Sequence, residues 1–227
     1  MTVPSRGLTI DSWKSILRPA AALLDELKSR QLEIPDLTMG GGTVLMFRFD
    51  HRISKDIDFF FHDAQWLTFL TPRLNDFASG ISSDYVEQSN SIKIVMAQGD
   101  IDFIAAPTII ANRSLDPMVF MGREFQLDAT AEILAKKLLY RADVLKPRDV
   151  FDLAACILFD PESAAVAASA AAPKKRGLLR RIDDLGSASS DFLEKDIVTT
   201  ARSAMVFQTM LSSVYRLIEQ ASDGIGT

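Results

Sequence analysis

Three glycines and two acids are the residues of this chain best suited to do chemistry. Gly40-Gly41-Gly42-Thr43 is followed by Val44 to Lys55 and then by Asp56-Ile57-Asp58-Phe59-Phe60-Phe61. Consecutive glycines let a backbone take φ > 0 and approach a ligand closely. Thr43 is placed to cap a short helix, whose first N–H groups are unpaired and attract an anion. The second stretch is β-prone and apolar apart from its acids. On a strand, residues i and i+2 share a face, so Asp56 and Asp58 point the same way, about 6–7 Å apart along the chain. Ile57, Phe59 and Phe61 then point into a core. Two anions side by side repel unless a cation stands between them, and hard oxygen ligands suit Mg²⁺ (or Mn²⁺), which completes its shell with substrate phosphates. A phosphate-cradling turn ahead of a metal-binding strand is the minimum equipment for phosphoryl or nucleotidyl transfer.

The turn, the gap and the Asp-apolar-Asp-apolar run resemble the signature of polymerase-beta-like nucleotidyltransferases. Gly41-Gly42-Thr43 together with His51-Arg52-Ile53-Ser54-Lys55-Asp56-Ile57-Asp58-Phe59-Phe60 resembles, more narrowly, the AbiEii-type toxin family of bacterial abortive-infection and toxin–antitoxin systems. Haloacid-dehalogenase phosphatases also carry Asp-x-Asp on a strand, but with Thr or Val where this chain has Phe60. Glycosyltransferases use a similar pair without the glycine turn. The resemblance implies transfer of a nucleoside monophosphate from an NTP to an acceptor hydroxyl, a tRNA 3′ end or a protein. It also implies a cognate antitoxin. Two metal ions would be held by Asp56, Asp58 and a third acid. Gly41, Gly42, Thr43 and Ser54 would bind the nucleotide. His51 either touches substrate or is a hydrogen-bonded loop histidine.

The third acid is expected on Asp100-Ile101-Asp102-Phe103-Ile104-Ala105-Ala106, a strand that follows a hairpin turn at Gln98-Gly99. Periodicity cannot separate Asp100 from Asp102, since both lie on one face. Asp100 adjoins the turn, where water reaches it. Asp102 lies between Ile101 and Phe103, as Asp58 lies between Ile57 and Phe59, and a carboxylate there is costly to bury without a compensating cation. Asp102 is therefore the expected metal ligand. Further on, Lys136-Lys137-Leu138 and Lys146-Pro147-Arg148-Asp149-Val150-Phe151-Asp152-Leu153 resemble the family's downstream motif, which implies that Lys137 and Asp149 reach the nucleotide and that Lys137 is catalytic. The other reading of that stretch is a surface set with an Arg148–Asp152 helical ion pair.

At 227 residues and 48% apolar content, the chain can bury a substantial core. One cysteine, Cys156, excludes a disulfide framework, and two histidines exclude a His-rich metal site. Met1 to Gly7 has no apolar leader core, and no run approaches the ~20 apolar residues that span a bilayer. A cytoplasmic protein is expected. The net charge of −5 provides no global basic field for nucleic acid.

The elements that must position these residues follow from periodicity and punctuation. Helices are predicted over residues 11–30 (started or kinked at Pro19), 43–49, 64–77, 129–143 (capped by Asp128), from Pro147 onward, and over 162–172. Strands are predicted at 37–39, 56–61, 85–87, 91–96 and 100–106, with a hairpin of 118–121 and 124–127 around Gly122-Arg123. Lys174 to Arg181 reads as a solvated basic turn, or else as a contact for RNA phosphates. Gly186 to Ser190 reads as a turn, and Asp191 to Ala221 as one or two helices. The fold class is α+β: a polymerase-beta-like mixed sheet over residues 1–127, and a helical region over 128–227 that completes the nucleotide site. Two rival functions stay open. A small-molecule nucleotidyltransferase of the antibiotic-modifying kind would need an acidic pocket, for which Asp149, Asp152, Asp183 and Asp184 are candidates. A catalytically silent partner-binding module would keep the fold and lose the metal.

Overall fold

The computed structural model describes residues 9–111, 114–188 and 197–222. The chain divides into two compact units. The first takes residues 1–44, 54–108 and 115–128, and the second takes 45–53, 109–114 and 129–227.

The first unit is built on a seven-stranded mixed sheet. Its strands are β1 (Thr38–Gly40), β3 (Ile57–Phe61), β4 (Tyr85–Gln88), β5 (Ser91–Met96), β6 (Gly99–Ala105), β7 (Asp116–Phe120) and β8 (Arg123–Leu127), in the order β4-β5-β6-β3-β1-β8-β7. Alternation decides which face is core. Ile57, Phe59, Phe61, Ile92, Ile94, Ile101 and Phe103 are all buried on one face, and the Phe59 ring stacks on Phe103 at 5.3 Å. The other face carries Asp58, Lys93, Asp100 and Asp102. Helix α1 (Lys14–Ser29) runs through Pro19 without a break and buries Ile16, Leu17, Leu23, Leu24 and Leu27.

Two sequence expectations change here. The single helix over 64–77 is instead a 3₁₀ turn, a short helix α3 (Leu67–Leu70) and a second helix α4 (Asp76–Ile81). Pro72 lacks the N–H that would continue the helix. The Asn75 side chain accepts from the N–H groups of Phe77 and Ala78 and starts a new one. Asp128 does not cap the following helix, since the cap position falls at Ala129. The Asp128 N–H instead donates to the Met39 carbonyl, so this residue still belongs to the sheet.

The second unit is mainly helical, with α5 (Thr130–Tyr140), α6 (Pro147–Phe159), α7 (Pro161–Ala170), α8 (Lys175–Gly186), α9 (Ser203–Phe207) and α10 (Met210–Gln220). A two-residue strand β2 (Arg52–Ile53) pairs antiparallel with β9 (Val198–Thr199). Pro147 opens α6, as its fixed φ favours. The basic tract is a helix rather than a turn, because Leu178, Ile182 and Leu185 give α8 a buried stripe. Along α9 and α10, Val206, Met210, Val214 and Ile218 are buried. The ends of the predicted turn at Ser189-Ser190 and the start of the predicted helix at Asp191 lie outside the described residues. No helix among the described residues is long and apolar enough to cross a membrane.

Candidate active site

Helix α2 (Gly41–Phe49) begins directly after β1, so the glycine turn is the joint between strand and helix. Gly41 has φ +70°, and a Cβ built on it would lie 1.8 Å from Asp58 Oδ2. Only glycine fits, both for its backbone and for the carboxylate pressed against it. Because the helix starts at Gly41, Thr43 sits inside its first turn and not at the cap. The buried Thr43 hydroxyl donates to the Asp56 carbonyl at 2.5 Å. Turn and acid strand are thereby tied together, with Gly41 packed against the Asp58 carboxylate.

Asp58 and Asp102 are register partners on the parallel pair β3–β6. They stand next to each other on one face of the sheet. Asp56 lies one residue before β3, and its Oδ1 accepts from the Asp100 N–H at 3.1 Å. The side chain of Asp102 is 15% exposed and that of Asp100 is 28% exposed, the order that the apolar neighbours of Asp102 require. Lys93 on β5 faces both. Its Nζ is 2.5 Å from Asp102 Oδ2 and 3.2 Å from Asp100 Oδ2. Burial raises the Asp102 carboxyl above its ordinary value against the pull of Lys93, and the charges of Asp56 and Asp100 add to the rise. Burial works to lower the Lys93 ammonium, but the carboxylates of Asp102 and Asp100 outweigh it and hold it above its usual value.

Among the described residues, no three carboxylate, imidazole or thiol groups already close into a cage around one point. The fit of a divalent ion rests on the donors themselves. Hard carboxylate oxygens crowd one sheet face, burial and then the neighbouring acids raise Asp102, and an ammonium already takes one of its oxygens. Asp56, Asp58 and Asp102 are the residues that would hold such an ion.

The second unit holds a different arrangement. Asp149 and Asp152 on α6 are both fully buried as side chains. Arg52 grips Asp152 with two bonds, Nε to Oδ1 at 2.6 Å and Nη2 to Oδ2 at 2.9 Å. Lys137 Nζ stands 2.7 Å from Asp149 Oδ1 and 3.2 Å from Asp152 Oδ2. Arg141 Nη1 reaches both oxygens of Asp149, at 3.1 and 3.3 Å. Asp149 also accepts the Lys146 N–H and so helps to start α6. Burial works to raise both acids, but the cations win. Lys137 and Arg141 hold Asp149 down to about 2, and Arg52 with Lys137 holds Asp152 well below the carboxylate range.

His51 completes this lattice. Its Nε2 is 2.7 Å from Asp152 Oδ1, and the ring stacks on Phe151 at 5.8 Å. The Nδ1 atom is buried and has no hydrogen-bond partner among the described residues. Burial lowers the imidazole's pKa despite Asp152, so the ring is neutral and its Nε2–H donates to the acid. This is the hydrogen-bonded loop histidine of the two sequence readings. The Arg148–Asp152 pair gives way to Arg52, His51 and Lys137 around Asp152. The same pairing removes Asp149 and Asp152 from any open acidic pocket for a cationic drug. Ser54 is nearly buried in the first unit, four residues before Asp58 in the chain.

Sequence reasoning missed Lys93 and the role of Arg52. Both left a signal. Lys93 stands between two buried isoleucines on a strand next to the one that carries Asp100 and Asp102, and Arg52 lies within the run that carries the family resemblance.

Comparison with protein families finds that the model described as "Nucleotidyl transferase AbiEii toxin, Type IV TA system" matches residues 22–219. A comparison with curated proteins found no match. Among solved structures, the chain is similar to MenT4, a nucleotidyltransferase toxin from Mycobacterium tuberculosis H37Rv, at 16% identity and a TM-score of 0.50. That alignment covers 93% of this chain and 89% of the other, and it shows the shared fold. A STING-associated CdnE c-di-GMP synthase from Capnocytophaga granulosa aligns at 12% identity and a TM-score of 0.33, over 92% of this chain and 80% of that one.

Proposed function

Since the chain belongs to the nucleotidyl transferase AbiEii toxin family and is thus an enzyme of that class, we propose that it moves a nucleoside monophosphate from an NTP to a tRNA 3′ end or a protein hydroxyl. The reading assigns the reaction to the face shared by the Gly41 turn, Asp56, Asp58 and Asp102. The observation that carries it is the seating of the Asp58 carboxylate against Gly41, where no side chain fits. It supports the reading that the start of α2 and the Asp58 carboxylate serve one site.

In this reading the N–H groups of Gly41 and Gly42 at the start of α2 bind the β- and γ-phosphates. Thr43, through the Asp56 carbonyl, keeps the turn and the acids in fixed relation. Asp56, Asp58 and Asp102 would hold Mg²⁺ or Mn²⁺, which would supply positive charge toward the leaving pyrophosphate and the attacking oxygen. The acceptor oxygen forms its bond to the α-phosphorus as the bond to pyrophosphate breaks. Lys137, Asp149 and Ser54 are proposed as nucleotide-site residues from their place in the motifs that resemble the family's. Asp149 then serves to aim the Lys137 ammonium. A cognate antitoxin is the partner that membership of a toxin family implies.

The test is to incubate the purified protein with each labelled NTP together with total RNA and cell protein. Label entering the RNA or the protein pool, and its loss in Asp56→Asn plus Asp58→Asn, is the expected result. Label in neither pool, from any NTP, defeats the reading and favours a silent binding module. In a bacterium, overexpression of the wild-type chain is expected to slow growth, and the double variant is expected not to.

A further inference from the structure

Lys93 is not accounted for by the reaction as described. It lies on β5 directly across from Asp102, in the antiparallel register that pairs Lys93 with Asp102 and Val95 with Asp100. Ile92 and Ile94 on either side are fully buried, so the strand's alternation forces Lys93 onto the face of the acids. The ammonium bonds Asp102 Oδ2 at 2.5 Å and Asp100 Oδ2 at 3.2 Å. Asp102 is the more buried of the two acids, and its oxygen is the one that a divalent ion would need. Ammonium and metal ion are both cations drawn to the same oxygen, and at that range they repel, so each binds it at the expense of the other.

We propose that Lys93 is a built-in competitor for the metal site: it holds Asp102 as an ion pair and must release that oxygen when a divalent ion binds, so it sets the metal affinity of the enzyme. The proposal rests on the reading that Asp56, Asp58 and Asp102 take the ion. Its consequence is a weakened and tunable site. The ion must displace an existing salt bridge, and the ammonium it frees stays beside the site on a flexible four-carbon stem. Lys93 acts through Asp102 and is a positioning residue. The pair also keeps the acid face from repelling itself apart while no ion neutralises it, since like charges on neighbouring strands destabilise a sheet.

Mn²⁺ titration without nucleotide, followed by electron paramagnetic resonance, reads this directly in the wild type, Lys93→Met, Lys93→Arg and Asp58→Asn. Lys93→Met is expected to bind Mn²⁺ about tenfold more tightly than the wild type, the equivalent of one pK unit of charge interaction. Lys93→Arg is expected to stay near the wild type, and Asp58→Asn to lose binding. In the wild type, acylation of Lys93 by an amine-reactive reagent, followed by mass spectrometry, is expected to rise when Mn²⁺ is added. This second readout decides the matter if Lys93→Met fails to fold. Unchanged Mn²⁺ affinity in Lys93→Met, or labelling insensitive to Mn²⁺, overturns the proposal and leaves Lys93 a simple surface pair. Weaker binding of both Mn²⁺ and NTP by Lys93→Met also overturns it and makes the lysine a nucleotide ligand. If neither the wild type nor Lys93→Met binds Mn²⁺, the metal reading itself falls and the proposal with it. Binding by Lys93→Met alone is its strongest support.

Discussion

The two units solve the same problem, the gathering of aspartates, in opposite ways. On the sheet face of the first unit, Asp56, Asp58, Asp100 and Asp102 are crowded and partly exposed, and crowding together with burial pushes the Asp102 carboxyl up. In the second unit, Asp149 and Asp152 are fully buried, and Arg52, Lys137 and Arg141 hold both of them down. A buried carboxylate is tolerated when cations and hydrogen bonds replace its water. The second group meets that condition from its own chain, whereas in the first the pull of Lys93 does not bring Asp102 back to its ordinary value.

The largest effect expected from this contrast is at the open face. Asp102→Asn should reduce transfer by at least about a thousandfold, the loss of several kcal/mol of charge stabilisation in the transition state. Its folding should be little harmed, because the repulsion from Asp56 and Asp100 is relieved as the Lys93 pair is lost. A melting curve and single-turnover assays check both halves.

The reverse is expected in the closed lattice. Asp152→Ala strips Arg52, His51 and Lys137 of their shared acid and should cost about 3–5 kcal/mol of stability, measured by urea unfolding. Lys137→Ala should lower the melting temperature along with turnover, since the lysine neutralises two buried acids. An account of Lys137 as a lone phosphate contact predicts loss of turnover alone.

Acid sharpens the comparison further. His51 is held neutral, with its pKa below the ordinary 6.5, so the stability it gives is present above that value and is lost as the pH falls below it. Asp149 and Asp152 are depressed as well, so their contribution is present above the unfolded value of 3.8 and is lost as the pH falls below it, that of Asp149 toward about 2. Unfolding free energy should therefore fall in two stages, beginning below 6.5 and again below 3.8. His51→Gln should remove the first stage and leave the second.

The smallest effect is expected at Asp100→Asn. This acid is the more exposed partner of Lys93, and exposed pairs contribute within about 1 kcal/mol. Transfer and melting temperature should both stay close to the wild type.

Much of the open face was legible in the sequence, because its geometry is local. Alternation placed Asp58 away from Ile57 and Phe59, and the glycines announced the turn. The hairpin at Gln98-Gly99 contains the register that pairs Lys93 with Asp102, although the lysine's part in the site was passed over. The closed lattice was not legible, because it joins residues about a hundred positions apart. Arg52 and His51 meet Asp152 only through tertiary packing, and no periodicity carries that contact. Local punctuation also misled where packing took over. Asp128 has the chemistry of a helix cap but stands one residue before the cap position, where its N–H still pairs with Met39, and the basic tract at Lys174 folded as helix because three apolar residues found a core.

The contrast between an open and a closed aspartate group is tested most directly by matched acid-to-amide changes under one titration. Mn²⁺ is titrated calorimetrically, at low temperature, into the wild type, Asp58→Asn and Asp149→Asn. Binding heat should be present in the wild type, absent in Asp58→Asn and retained in Asp149→Asn. Binding that survives in Asp58→Asn, or disappears only in folded Asp149→Asn, would contradict the account.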